Sequence, residues 1–131
     1  MKVTAKVEKG GAASYSCKVE GSVGKWVLVG YGKTADEAIK DLEASCSEAY
    51  EDTGDETYLH LEKEYVFDVG SLFSHYGFLN IEGVARLAGI PSSVLRQYAC
   101  GARSPRKDKM QKIEDAIRTI SRQTQRVVLC A

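Results

Sequence analysis

The side chains with the most chemistry to offer lie between Pro91 and Lys107. Ser92, Ser93, Arg96 and Gln97 recur at helical spacing and so share one exposed face of a short helix. A hydroxyl at a helix start bonds a phosphate or a base edge. An arginine fork matches the O6 and N7 acceptors of guanine, and a glutamine amide matches N6 and N7 of adenine. Arg103, Arg106 and Lys107 follow in a loop, Gly101-Ala-Arg-Ser-Pro105, that leads into another helix. Cations there suit phosphates, which fix position without reading sequence. Together these residue types point to recognition of double-stranded DNA.

Other chemistries find less to work with. The cysteines Cys17, Cys46, Cys100 and Cys130 are 29, 54 and 30 residues apart, so no pair has the short spacing of a zinc or redox motif. We expect four reduced thiols, with Cys46 a small core residue, and neither a metal nor a cofactor. His60 and His75 have no triad companions, and His75 is expected on the exposed side of a helix. The acidic residues between 34 and 56 decorate a solvated helix face. Gly10-Gly11 is a turn signal and not a phosphate loop. An enzyme is not expected.

The elements that hold the polar face in place have a packing signature of their own. Two helices joined by a tight turn need a small residue at their crossing, supplied by Ala85, and a residue at positive φ four positions later, supplied by Gly89. Val84, Ala88, Ile90, Leu95 and Tyr98 are the apolar ties. Asn80 suits the first helix as a cap, and Pro91 can start the second. Asp68 is expected to cap a preceding helix over 69–76 that buries Val69, Leu72, Phe73 and Tyr76. A later helix over 107–122 carries the stripe Met110, Ile113, Ala116, Ile117 and Ile120. Residues 123–131 fit a helix extension, a strand pairing across a dimer, or a frayed end.

The run from Leu95 to Ile113 resembles the Cro/lambda-repressor family. There the second helix ends in an aromatic or aliphatic anchor, followed by glycine, basic residues, proline and an amphipathic helix. The resemblance implies a helix-turn-helix whose second helix enters the major groove, with Ser92, Ser93, Arg96, Gln97, Arg103, Arg106 and Lys107 on the DNA. One such unit covers a half-site, so a homodimer on a palindromic operator is expected.

In the amino-terminal half, apolar residues alternate at 3, 5 and 7 and again at 13, 15, 17 and 19, predicting strands. A third strand is expected over 26–30. Thr34 and Glu37 then fit a capping box, and Ala35, Ala38, Ile39, Leu42, Cys46 and Ala49 form one helical stripe ending at Gly54. A fourth strand is expected around 58–61 or 65–67. The expected fold is α+β: an antiparallel sheet of three or four strands with one helix over 1–67, then an all-α helix-turn-helix domain over 68–131.

The β-β-β-α-β order, with Gly32-Lys33-Thr34 and Glu37-Ala38-Ile39 before and in the helix, resembles the HicB antitoxin domain. Val19 to Lys25 departs from the Pro-Gly-Cys-like segment usual there. The resemblance implies a regulator that represses its own operon and neutralises a small basic toxin. The alternative is a repressor without a toxin, whose first domain dimerises or senses a ligand. The same order is similar in outline to double-stranded RNA-binding domains. Residues 1–64, however, hold 8 basic against 13 acidic side chains, and residues 65–131 hold 10 against 5. An acidic first half argues against RNA there. No stretch approaches the ~20 apolar residues that span a bilayer. Met1 to Lys6 lacks a secretory core, so a cytoplasmic protein is expected.

Overall fold

The alternation near the start builds a hairpin. In the computed structural model, which describes residues 1–131, β1 (Lys2–Lys9) and β2 (Tyr15–Val19) run antiparallel. The Gly10 amide closes their turn by donating to the Ser14 carbonyl at 2.7 Å. Ala5 stands opposite Val19 and Val7 opposite Cys17, so the buried side chains share one face. The third strand, β3 (Val29–Gly32), starts three residues later than expected. Gly24, at φ 61°, and a bridge between Val23 and Trp26 use the preceding segment for a local turn.

Helix α1 (Ala35–Thr53) covers the buried face with Ala35, Ala38, Leu42, Cys46 and Ala49. Thr34 Oγ1 accepts from the Glu37 amide at 3.1 Å. The Glu37 carboxylate accepts from the Lys33 amide at 2.8 Å, one residue earlier than a capping box prescribes. Gly54, at φ 71°, ends the helix.

The approach of α1 to β3 is backbone on backbone. A β-carbon built on Gly30 would lie 2.2 Å from the Leu42 amide nitrogen, and one on Gly32 would lie 2.7 Å from the Ala38 nitrogen. With so little space between them, α1 side chains reach the outer edge of β3. Asp41 accepts from the Tyr31 amide, and Ser45 donates to the Val29 carbonyl, each at 2.8 Å. These bonds occupy two of the outward backbone groups of this edge, which hinders further strand pairing there.

The sheet is mixed rather than antiparallel. Its order is β3-β2-β1-β4, and β4 (Glu62–Phe67) lies parallel to β1 with Ala5 opposite Tyr65. Two antiparallel steps make β3 parallel to β1. The α1 crossover then returns the chain to the far side of the sheet in that same direction. Residues 58–61 do not form a strand. Glu56–Leu59 make a 3-10 turn capped by Asp55, whose carboxyl is held below its usual range chiefly by the Thr57 amide. Tyr58 is buried, with its hydroxyl donating to the Val23 carbonyl at 2.8 Å.

Helix α2 (Val69–His75) belongs to the first compact unit, Met1–Tyr76, and the second begins at Gly77. The division expected after residue 67 therefore falls nine residues later. Asp68 explains why. One carboxylate oxygen caps α2 at the Ser71 amide (2.9 Å), and the other accepts from the Lys9 amide at the end of β1 (3.0 Å). Ser71, fully buried, donates to the Val7 carbonyl at 2.7 Å. The buried face of α2 is Val69, Gly70 and Ser71, while Leu72, Phe73 and Tyr76 are half-buried. His75 is also half-buried. It stacks on Phe67 and bonds Asp36 through Nδ1 at 2.5 Å, so it is not the free surface group expected.

The second unit, Gly77–Ala131, holds α3 (Ile81–Ala88), α4 (Ser92–Cys100) and α5 (Lys107–Thr124). Its core is Val84, Ala85, Ala88, Ile90, Leu95, Tyr98, Ile113 and Ala116. Met110 is largely exposed, whereas Ile117 and Ile120 are half-buried. Beyond α5 the chain makes a turn at residues 125–126 and then forms no regular element, with Val127, Val128 and Leu129 exposed. No helix is long and apolar enough to cross a membrane.

Candidate functional site

The turn between α3 and α4 decides where α4 points. Asn80 Oδ1 accepts from the Gly83 amide at 2.8 Å and starts α3. Gly89, at φ 69° and ψ 32°, ends it, its amide donating to Ala85 and Arg86. The Ile90 amide adds a bond to the Ala85 carbonyl at 3.0 Å. Pro91, at φ −55°, then leads into α4, and Leu95 and Tyr98 pin that helix to the core. Pinning on one side leaves Ser93, Arg96 and Gln97 exposed on the other, with Ser92 half-buried.

The start of α4 is open. Pro91 has no side-chain oxygen to cap it, and no side chain does so from elsewhere. The Val94 and Leu95 amides both turn back to the Pro91 carbonyl, so the amides of Ser92 and Ser93, the first of α4, are the orphan donors that every helix start leaves. Helix α5 begins the same way. Arg106 occupies the cap position without a side-chain bond, and Lys107 is the first helical residue. A cation there opposes the helix dipole, which favours anions at an amino terminus by roughly 0.3–1 kcal/mol. By contrast, α1, α2 and α3 are capped by Thr34, Asp68 and Asn80.

Two of the polar side chains on α4 already have partners within the unit. Arg96 Nη2 donates to Glu82 Oε1 on α3. Gln97 Oε1 accepts from Arg103 at 3.3 Å, and the Arg103 guanidinium also lies 5.9 Å from the centre of the Tyr98 ring. Arg103 is tied down further by its own amide, which donates to the Gln97 carbonyl at 3.3 Å. The sequence-expected residues thus lie along α4 and the segment after it. Glu82 was missed, because nothing in residue spacing links two helices across 14 positions.

Charge follows the division of the chain. The first unit carries 8 basic and 14 acidic side chains, and the second 10 and 4. The boundary after Tyr76 sharpens the contrast to −6 and +6. Shifted ionisations lie in the first unit. Burial pushes the Cys17 thiol up to about 11 and raises Cys46 and Tyr65 as well. No three His, Cys, Asp or Glu side chains converge to hold a metal ion. A shallow groove in the first unit, lined by Tyr31, Lys33, Glu37, Lys40 and Asp41, is open and of mixed charge.

No family model, curated protein or solved structure matches the chain.

Proposed function

We propose that the chain is a sequence-specific DNA-binding regulator, with the second unit as its helix-turn-helix reading head. The observation that carries this reading is the surface of α4 and its sequel. An uncapped helix start, Ser93, Arg96 and Gln97 on one face, and exposed Arg103, Arg106 and Lys107 all belong to a unit of net charge +6. Phosphates would meet the α4 amides and the loop cations. Base edges would meet Arg96 and Gln97. A nine-residue helix is about 13.5 Å long, roughly four base pairs of rise, which is less than a full site, so the working form is a homodimer on an inverted repeat.

Within that reading, the acidic first unit serves as the partner-binding half, and its likeness to HicB antitoxins makes a small basic toxin the favoured partner. The protein then acts in the cytoplasm, on its own operator, with no catalytic step and no cofactor. A repressor without a toxin uses the same second unit, its first unit dimerising or sensing a ligand.

The experiment is fluorescence anisotropy of the full chain on its own promoter fragment and on a random duplex, at 50 and 200 mM salt. Specific binding that falls steeply with salt supports the reading. Arg96→Ala should then weaken operator binding by about 1–3 kcal/mol and relax the preference at one base pair. Equal affinity of the wild type for both duplexes would remove the base-reading role.

A further inference from the structure

The Arg96 guanidinium does not stand alone on α4. It is tethered by one nitrogen, Nη2, to Glu82 in the first turn of α3. Both side chains are more than half exposed, so the pair contributes little to stability. It is also the one ion pair in the structure that joins two helices of the second unit, the remaining pairs there lying within α5. Of the four carboxylates in that unit, Glu82 alone lies against a side chain of the α4 polar face. Asp115 and Glu114 engage Arg118, and Asp108 sits in the first turn of α5. A surface pair that adds little to the fold, placed on the side chain best suited to guanine, has its consequences in binding.

Resting on the DNA-binding reading above, we propose that Glu82 is a specificity-determining residue that acts through Arg96. The carboxylate neutralises the guanidinium and occupies one of its donors. Against a bare phosphate backbone, the Glu82 carboxylate cancels the charge of Arg96 and repels the anion, so non-specific duplex gains little from it. Against guanine, the remaining donors of the fork reach O6 and N7 while Nη2 stays on Glu82, which also fixes the plane of the fork. The pair therefore lowers affinity for random DNA more than affinity for the operator. Glu82 is a positioning residue here and need not touch DNA.

The test is a double-mutant cycle on the full chain, using Glu82→Gln, Arg96→Gln and the double variant, with operator and random duplexes at 50 and 200 mM salt. Glutamine keeps the length of residue 82 and removes its charge, and circular dichroism checks that each variant folds. In Glu82→Gln, random duplex should bind several-fold tighter and the operator less so, which narrows the ratio between them. One additional phosphate contact should also make the variant lose about 3.5-fold more affinity than wild type between the two salts. In the Arg96→Gln background, Glu82→Gln should change little. An equal effect in both backgrounds would show Glu82 acting as a bare charge and would overturn the proposal. So would a Glu82→Gln protein that matches a specific, salt-sensitive wild type. A wild type that binds no duplex would overturn the DNA-binding reading itself, and this inference with it.

Discussion

Replacing Gly30 by alanine tests the closest approach in the fold. The added β-carbon would lie 2.2 Å from the Leu42 nitrogen, 2.4 Å from the Ala38 oxygen and 2.7 Å from the Asp41 carbonyl carbon. All three are backbone atoms of α1, so no side chain can rotate out of the way. Carbon contacts are comfortable from about 3.5 Å, which means that α1 must lift by roughly 1.3 Å. A lift of that size breaks the two 2.8 Å bonds from Asp41 and Ser45 to the edge of β3. Overpacking costs about 1–3 kcal/mol and each lost bond about 1, for a total of roughly 3–5 kcal/mol. In a unit of this size, that lowers the melting temperature by about 12 °C or more. Trp26 is the only tryptophan in the chain and packs against this core, so a fluorescence melt follows the first unit alone. Gly11→Ala is the control, because nothing lies within 4 Å of a β-carbon there. A Gly30→Ala melt within about 3 °C of wild type, less than 1 kcal/mol, would refute the argument.

Gly89 poses the opposite problem, open space but positive φ, so its substitutions should reflect backbone strain alone. Gly89→Val should cost the second unit about 1–2 kcal/mol and Gly89→Asn less. Equal far-UV melts for the valine and asparagine variants would contradict this. Alkaline stability of the first unit should fall as pH rises from 9 toward about 11. The unfolded Cys17 thiol ionises from about the ordinary thiol value of 9.0, while the buried one resists until about 11, and the raised Cys46 acts in the same direction. Urea midpoints read from Trp26 should decline across that window, with a shallower decline in Cys17→Ala even though that variant is less stable at pH 8. Parallel slopes would assign the alkaline loss to other groups.

What residues could reveal in advance divides along a physical line. Caps and stops are local, so Thr34, Asp68, Asn80, Gly54 and Gly89 could be read from their neighbours, and each does what its type suggests. The ties Val84, Ala88, Ile90, Leu95 and Tyr98 were legible because helical spacing brings them to one side. Strand direction was not legible. The alternation in Glu62–Phe67 is the same whether β4 runs with β1 or against it, and only the crossover by α1 decides. The unit boundary was hidden for a related reason. Ser71 reaches Val7 across 64 residues, and burying a small polar face left Leu72 and Phe73 only half-covered. In the candidate site, exposure of the polar face followed from its spacing, but the partners of Arg96 and Gln97 are tertiary contacts that spacing does not encode.

The opposed charges of the two units bear on how the protein behaves in a tube. A pI near 6.7 describes neither half, since one is strongly anionic and the other strongly cationic at neutral pH. Near that pH the chain has almost no net repulsion between molecules, while the acidic half of one attracts the basic half of the next. Concentrated stocks in dilute buffer should therefore turn cloudy around neutrality. Added salt, which screens such attraction over a Debye length of about 10 Å at 0.1 M, should clear them. The protein should salt in before it salts out, and competing polyanions such as heparin should dissolve it at ionic strengths where sodium chloride alone does not.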